Sequence, residues 1–286
     1  MSNWTYFQAQ RWASSFLRRL HQDQYAPEFV LKMIHGWSDA DLLMHNRVVM
    51  SDDEKQRFQA AIFRIAKNEP TQYVVGKAPF FGRTFVVNND VLIPEMETED
   101  LVEWVLQEMP ENEPLKVLDL GTGSGVIGIT LSLERPRWNI TLSDISAGAL
   151  RVATANQRLH GTNLPEVESD LFTKLANERY DLIVTNPPYI SPNARDVMDQ
   201  SVIEYEPPVA LFASENGLGL YHRLFEQVHD HLKPGGILFG ETGYDQEESI
   251  QRLFHQTQPQ AKIKVRHDIA DRMRMIKAWD FIYDQR

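Results

Sequence analysis

The chain has 286 residues, of which 42% are hydrophobic and 24% are charged, as in ordinary globular proteins of one large or two smaller domains. Cysteine is absent, which excludes disulfides and thiolate metal sites, and no run approaches the roughly 18 apolar residues of a membrane span. The net charge of −11 is uneven, with +1 in residues 1–75 and −12 in the remainder, which argues against stable nucleic acid binding. We therefore expect a cytoplasmic protein without membrane contacts.

The first 75 residues predict a small all-helical domain. Apolar residues recur near helical spacing from Trp4 to Leu20, and a second apolar stretch ends at Gly36. Ser51 and Glu54 form a capping-box pattern ahead of a further amphipathic segment. A helical domain beside a larger one is often a partner-recognition module, so residues 1–75 are interpreted as a substrate-recognition domain.

Residues 76–94 predict a β-hairpin that links two domains. The segment 80–87 alternates as a strand does, 88–90 has turn composition, and 91–93 is a short apolar run before Pro94. Residues 95–286 then alternate strands and helices, which predicts a mostly parallel sheet of the α/β class. Two final strands, near 263–266 and 275–283, predict an antiparallel C-terminal edge. The segment 191–212 is predicted to be a long loop, of a length common in functional lids.

Three acidic positions accompany a glycine-rich turn in this second part. Glycines 121, 123 and 125 follow a predicted strand and precede a helix, so backbone N–H groups face a ligand there. Asp144 ends the next strand and suits ribose hydroxyls. Asp170 and Phe172 follow the third strand, where an adenine could be bonded and stacked. Asp119, before the first glycine, suits an ammonium group better than a pyrophosphate. The predicted cofactor site comprises Asp119, Gly121, Thr122, Gly123, Ser124, Gly125, Asp144, Asp170, Phe172 and Asn186.

A second motif, Asn186-Pro187-Pro188-Tyr189, follows the apolar run 181–184. Two prolines end a strand because neither donates a ladder hydrogen bond. Asn186 and the proline carbonyls can accept both hydrogens of a planar NH2 group, and Tyr189 can cover its face. Taken alone, the motif is better explained as a proline-rich turn after a core strand, so the glycine loop must decide. Together with the glycine loop it predicts an adenosine-containing cofactor beside a substrate that is an amide or an exocyclic base amine.

With these motifs the chain resembles class I S-adenosylmethionine-dependent methyltransferases of Rossmann-like fold, and more narrowly the release factor glutamine methyltransferases. The resemblance extends over the helical domain, the segment 70–76, the hairpin ending at Pro94, Thr98-Glu99, both motifs and Glu206-Pro207. It implies S-adenosylmethionine as cofactor, no metal, and peptide chain release factors as protein substrates. The loop glutamine of their Gly-Gly-Gln sequence would lie against Asn186, Pro187, Pro188, Tyr189 and Glu206. Asn186, Pro187 and Tyr189 would be catalytic.

Two positions depart from the family pattern. Glu95-Met96 replaces the usual Arg-Pro, and Asp271-Arg272-Met273-Arg274 replaces a Gly-Arg-Asp-Arg sequence. Two alternatives to the leading interpretation remain at this point. One is a nucleic acid methyltransferase acting on an exocyclic base amino group, which the acidic second domain disfavours. The other is a non-catalytic adaptor, which the intact motifs disfavour.

Overall fold

The computed structural model describes residues 4–268 and 271–282. The chain separates into two compact units. One consists of the chain up to Lys77 together with Asp199–Tyr205, and the other of Ala78–Met198 with Glu206 onward. Within the described ranges no helix combines the length and the apolar character that a membrane span requires.

The first unit is helical, as predicted. Its consecutive helices are α1 (Tyr6–Arg19), α2 (Ala26–His35), α3 (Asp39–His45), α4 (Asp52–Ile65) and α5 (Thr71–Val75). The predicted capping box is present, because Ser51 Oγ accepts from the Glu54 amide and Glu54 accepts from the Ser51 amide. The buried faces of these helices pack around Phe58, Ile62 and Leu17.

A β-hairpin is present, but the predicted positions of its turn and second strand are wrong. Its strands are β1 (Lys77–Phe80) and β2 (Arg83–Val86). The turn lies at Phe81 and Gly82, whose φ values of 48° and 70° give the double left-handed geometry that tight hairpins prefer. The segment 91–93 is not a strand. Leu92 and Pro94 instead contribute to the wall of a cavity.

The second unit is built on a mixed sheet, as predicted. In the described part of the chain its seven strands have the order β5-β4-β3-β6-β7-β9-β8. Strand β9 pairs antiparallel with β7 and with β8, and the other neighbouring strands pair parallel. The strands are β3 (Lys116–Leu120), β4 (Asn139–Asp144), β5 (Glu166–Glu168), β6 (Tyr180–Thr185), β7 (Leu232–Glu241), β8 (Lys262–His267) and β9 (Met273–Trp279). The predicted last strand ended at Tyr283, which lies outside the described residues.

Helices cover both faces of this sheet. They are α6 (Met96–Glu108), α7 (Val126–Glu134), α8 (Ala147–His160), α10 (Pro208–Leu211), α11 (Gly219–His231) and α12 (Glu247–Thr257), and α9 (Gln200–Tyr205) belongs to the first unit. One buried cluster joins the sheet to α6, α7 and α8, and a second joins it to α11 and α12. The segment 191–212 is not a structureless loop, because it contains a 3-10 helix at Pro192–Val197 as well as α9 and α10.

The strand order reverses direction between β3 and β6. From β3 the chain runs outward through β4 to β5, and from β6 it runs the opposite way to β7. Leu120 is in register with Ser143 on one side and with Thr185 on the other, and Thr185 is in register with Gly240. Open α/β sheets bind ligands at the carboxyl ends of the strands beside such a reversal. The residues that follow β3, β4, β6 and β7 therefore meet at one edge.

Candidate active site

A cavity of about 360 Å³ lies at this edge of the sheet. Its wall contains most of the residues that the sequence singled out. These are Gly121, Thr122, Gly123, Ser124, Asp144, Asp170, Asn186, Pro187 and Pro188. The volume and the mixture of apolar wall with a few polar groups are typical of small-molecule sites. Asp119, Gly125, Phe172, Tyr189 and Glu206 do not lie on the wall.

The glycine loop is fixed to the neighbouring strand by backbone hydrogen bonds. The amides of Gly121 and Thr122 both donate to the Ser143 carbonyl, at 2.8 and 2.9 Å. The Gly123 amide donates to Asp144 Oδ2 at 2.8 Å. Gly121 and Gly123 have φ values of 73° and 54°, which side-chain-bearing residues rarely adopt. The protein's own hydrogen bonds therefore hold the loop in this conformation.

Asp119 holds the glycine loop and α7 together. It is fully buried, and its Oδ2 accepts from Thr122 Oγ1 at 2.5 Å and from the Gly128 amide at 2.8 Å. Burial raises the pKa of Asp119 to about 7, against the opposing effect of these two hydrogen bonds. Its Oδ1 has no partner among the described residues. The predicted contact with an ammonium group stays a prediction.

Asp144 presents a carboxylate to the cavity from the end of β4. Its oxygens accept from the Gly123 and Ser146 amides, each at 2.8 Å. Burial raises the pKa of Asp144, while these backbone amides lower it. The two amides orient the carboxylate, and acceptor capacity remains for a pair of ribose hydroxyls.

Of the two residues predicted to contact adenine, only Asp170 lines the cavity. Asp170 lies on the wall, and Arg223 donates to both of its oxygens at 2.8 and 2.9 Å. Phe172, contrary to the expectation, is 2% exposed and stacks on His231 with ring centroids 4.1 Å apart. Leu171, with a φ of 46°, turns the chain so that Leu171 itself reaches the wall. The ring of Phe172 therefore packs in the hydrophobic core and does not face the cavity.

An aliphatic residue that the sequence analysis did not select occupies the corresponding wall. Ile145 directly follows β4, lines the cavity and is 53% exposed. Large exposed apolar side chains inside a cavity usually mark a ligand surface. The signal was available, since Ile145 follows the acid that the sequence analysis had already assigned to the cofactor.

Asn186 reaches the same cavity from the end of β6. Its Nδ2 donates to Thr98 Oγ1 at 3.0 Å, and no donor among the described residues is bonded to its Oδ1. Pro187 and Pro188 lie beside it on the wall. The segment continues in a fixed path, because the Ile190 amide donates to the Leu211 carbonyl at 2.9 Å. The arrangement leaves a side-chain carbonyl and proline carbonyls as acceptors for an incoming NH2 group.

Tyr189 is anchored away from the wall. Its hydroxyl donates to Glu241 Oε1 at 3.0 Å, and its carbonyl accepts from Gln246 Nε2 at 2.8 Å. Burial, followed by the Glu241 charge, raises the pKa of Tyr189 well above its usual value. The tyrosine is therefore a neutral hydrogen-bond donor at physiological pH.

Glu206 is also buried, and its Oε2 accepts from the Ile93 amide at 3.4 Å. Burial raises the pKa of Glu206 to about 7, against that hydrogen bond. Its predicted contact with a substrate stays a prediction.

Arg274 belongs to the segment Asp271-Arg272-Met273-Arg274, which departs from the family pattern near the C-terminus. Its guanidinium pairs with Asp268 at 3.1 Å and with Glu97 at 3.5 Å.

The cavity has the donor and acceptor set that S-adenosylmethionine requires. Asp144, the glycine loop, Ile145 and Leu171 all line it, and a carboxylate, backbone N–H groups and apolar side chains are what the ribose hydroxyls, the amino-acid end and the adenine of such a cofactor would need. No three His, Asp or Glu side chains within residues 4–268 and 271–282 are grouped as a metal ligand set would be. The observation that carries the fit is the exposed Ile145 side chain next to an oriented carboxylate.

Fold and site together define a class I methyltransferase, with a glycine loop after the first sheet strand and the Asn186-Pro187-Pro188-Tyr189 motif at the reversal of strand order. Family models agree, because the PrmC N-terminal domain matches residues 8–76 and the methyltransferase small domain matches residues 101–205. The chain belongs to the release factor glutamine methyltransferase family, and S-adenosylmethionine is its methyl donor.

Two curated relatives carry this family assignment. The release factor glutamine methyltransferase of Enterococcus faecalis is 37% identical over 94% of this chain and 97% of its own. That of Bacillus subtilis is 35% identical over 96% of this chain and 97% of its own. Solved structures are similar in fold alone. A methyltransferase from Pyrococcus furiosus has a TM-score of 0.53 at 13% identity, covering 81% of this chain and 100% of its own. The catalytic domain of hMettl16 with an RNA hairpin has a TM-score of 0.53 at 17% identity and covers 82% of each chain.

Replacing Asp144 with alanine should weaken S-adenosylmethionine binding by about ten- to a hundredfold, because hydrogen bonds to a charged group are each worth roughly 1.5–3 kcal/mol. Isothermal titration calorimetry measures the change. Glu168→Ala is the matched control, since Glu168 ends the neighbouring strand β5 in register with Asp144 and does not line the cavity. Equal affinities for the two variants would remove Asp144 from the cofactor site.

Proposed function

We propose that this protein transfers the methyl group of S-adenosylmethionine to the side-chain amide nitrogen of the glutamine in the Gly-Gly-Gln loop of peptide chain release factors. The observation that carries the proposal is the Asn186 amide. It is held through Nδ2 at the cavity wall with its carbonyl oxygen unbonded. The names of relatives that match nearly the whole chain support the choice of a release factor as substrate.

The residues at the wall explain how a poor nucleophile is activated. A primary amide nitrogen is weakly nucleophilic, because its lone pair is delocalised into the carbonyl. Asn186 Oδ1 and the Pro187 carbonyl accept its two N–H groups, which fixes the nitrogen and favours positive charge as it develops there. Bound S-adenosylmethionine supplies an electrophilic methyl group whose bonding electron pair stays with sulfur. The methylated nitrogen then loses one N–H proton to water. Tyr189, tied to Glu241, keeps the proline carbonyls in place.

The predicted domain roles belong to the same proposal. Residues 1–75 would recognise the body of the release factor, residues 76–94 would link the units, and residues 95–286 would carry out methyl transfer. The match of residues 8–76 to the PrmC N-terminal domain supports a role specific to this family. We also infer a cytoplasmic location, because release factors act on translating ribosomes.

The test uses the full chain and S-adenosylmethionine with a labelled methyl group. A release factor, the same factor with its Gly-Gly-Gln glutamine changed to alanine, total RNA and total DNA are offered in parallel. We expect label on the loop glutamine of the first substrate, located by mass spectrometry, and none on the alanine variant. Label on nucleic acid alone would overturn the substrate while keeping the methyl-transfer chemistry. Label on no substrate would overturn the proposal as a whole.

A further inference from the structure

Two hydrogen bonds connect Asn186 through Thr98 to a buried carboxylate, that of Glu241, and a third connects Tyr189 to the same carboxylate. Asn186 Nδ2 donates to Thr98 Oγ1 at 3.0 Å, and Thr98 Oγ1 donates to Glu241 Oε2 at 2.7 Å. Tyr189 donates its hydroxyl to the other oxygen, Glu241 Oε1, at 3.0 Å. Thr98 is 3% exposed and Glu241 is fully buried. All four residues belong to the second unit, and their positions are set by α6, β6 and β7.

The direction of this chain of bonds follows from the number of protons available. A threonine hydroxyl has one proton, and an ionised carboxylate can only accept. Because Thr98 donates its one hydroxyl proton in the hydrogen bond to Glu241, Thr98 Oγ1 can only accept a hydrogen bond from Asn186. The Asn186 group that faces Thr98 must therefore be the NH2. Its carbonyl oxygen is left for the cavity.

The opposite amide orientation would fail on both sides. If the Asn186 amide were rotated by half a turn, Oδ1 would face the Thr98 lone pairs and Nδ2 would face the substrate. Asn186 Oδ1 and Thr98 Oγ1 would then be two buried acceptors facing each other. Asn186 Nδ2, a donor, would face the substrate NH2 group, which is also a donor. An unpaired buried polar group costs about 1–3 kcal/mol, which is enough to decide the orientation.

We propose that Thr98 and Glu241 are positioning residues that hold the Asn186 amide with Oδ1 toward the substrate. The inference rests on the proposed function, since it assigns Oδ1 the role of accepting a substrate N–H. The same carboxylate ties the Tyr189 ring, so one buried group sets both ends of the Asn186-Pro187-Pro188-Tyr189 segment. Thr98 and Glu241 do not touch the reacting atoms in this scheme.

Charged groups on several elements surround Glu241. Glu95 and Glu97 lie at the start of α6, Tyr189 follows β6, and Arg274 on β9 is paired with Glu97. Tyr221 on α11 donates to the Glu241 backbone carbonyl. Burial raises the pKa of Glu241 to about 7, opposed first by the Thr98 hydrogen bond. A protonated Glu241 can donate its own proton to Thr98 Oγ1. The Thr98 hydroxyl then no longer has to donate to Glu241, so it no longer requires the NH2 group of Asn186 as its partner.

A pH dependence follows with a definite sign. The pKa of Glu241 is raised, so the ionised form that orients Asn186 is present above about pH 7 and is lost as the pH falls through that value. The turnover number should decrease on the acid side of about pH 7. Asp119 and Glu206 also have a pKa of about 7, so the profile is measured at saturating S-adenosylmethionine and the parent chain is the reference. In Glu241→Gln the acid-side decrease should be smaller than in the parent chain, and kcat above pH 7 should be lower.

The main test compares Thr98→Val with Thr98→Ser and with Thr130→Val. Valine keeps the shape of threonine and removes the hydroxyl, and serine restores it. Thr130 is a matched control, because it is fully buried on α7 and its Oγ1 has no partner among the described residues. We expect Thr98→Val to lower kcat by about ten- to a hundredfold with little change in KM or in cofactor affinity. Thr98→Ser should restore kcat to within about threefold of the unaltered chain, and Thr130→Val should leave it unchanged.

A second readout does not depend on activity. The ¹H–¹⁵N signals of the Asn186 side-chain amide, assigned through Asn186→Ala, should shift and exchange faster in Thr98→Val and not in the other two variants. Equal kcat in Thr98→Val and Thr130→Val, or failure of serine to restore kcat, would overturn the positioning role. So would unaltered Asn186 signals. If Thr98→Val does not fold, the Glu241→Gln profile decides, and an acid-side decrease as large as that of the parent chain overturns the inference. An inactive parent chain with the expected Asn186 shifts would instead count against the proposed substrate.

Discussion

Replacing Asn186 with alanine should lower kcat by about a hundred- to a thousandfold, the usual effect of removing one oriented group that stabilises developing charge. Alanine leaves one substrate N–H without an acceptor, and the amide nitrogen is then neither oriented nor polarised. Affinity for S-adenosylmethionine should change only a few fold, since Asp144 and the glycine loop are untouched. Single-turnover methylation of a release factor and calorimetric titration of the cofactor measure the two quantities separately.

The matched control for this substitution is Asn139→Ala. Asn139 begins β4 at the amino end of the strand, away from the cavity, and its side chain is exposed and does not line the cavity. It should retain the parent kcat. Near-normal turnover of Asn186→Ala would remove Asn186 from the reaction, and a large loss of cofactor affinity would reassign it to the cofactor.

Replacing Gly217 with alanine should lower the free energy of unfolding by about 2–4 kcal/mol and kcat by at least tenfold. A Cβ there would lie 2.1 Å from the Tyr189 carbonyl oxygen and 2.7 Å from Gln246 Nε2. The backbone of Gly217 also has a φ of 91°. Relief of the clash requires moving the carbonyl of Tyr189, the last residue of the amide-recognising motif.

Gly161→Ala separates the two causes in this prediction. Gly161 has a φ of 69° at the end of α8, and nothing lies within 4 Å of an added Cβ. It should lose only about 1 kcal/mol, the ordinary effect of a side chain at positive φ, and keep its activity. Chemical denaturation and steady-state kinetics on both variants provide the comparison. Equal losses would show that the approach to Tyr189 has no role of its own.

The parts of the fold that a local pattern encodes could be predicted from the sequence. Short apolar runs followed by acids or glycines gave the strands carrying Asp119 and Asp144, and the alternation of strands with helices gave the parallel sheet. The hairpin was predicted at the wrong place because Asn88–Asp90 has stronger turn composition than Phe81-Gly82. Left-handed φ at a phenylalanine has no signal in composition.

The site was predictable where a residue acts from its own strand end, as Asn186 and Asp144 do. It was not predictable where a side chain turns away from the cavity or where three elements cooperate. Phe172 packs in the core against His231, next to a left-handed residue, Leu171, whose backbone conformation has no signal in the sequence. Thr98 and Glu241 are 143 positions apart, and their hydrogen bond depends on how α6 packs beside β7. Sequence spacing carries no information about such a pair.

The membership of Asp199–Tyr205 in the helical unit bears on how the protein can be divided by engineering. The polypeptide leaves the methyltransferase unit after Met198 and re-enters it at Glu206, and Tyr205 donates to the Lys67 carbonyl at 3.1 Å in between. The helical unit is therefore discontinuous along the chain and is not a removable N-terminal module. Cutting at residue 77 would separate α9 from the unit to which it belongs, while the segments on either side of α9 stay bonded to the methyltransferase unit, Ile190 to Leu211 and Glu206 to Ile93. A shortened enzyme would need a new, short connection between residues 198 and 206 as well as a new N-terminus.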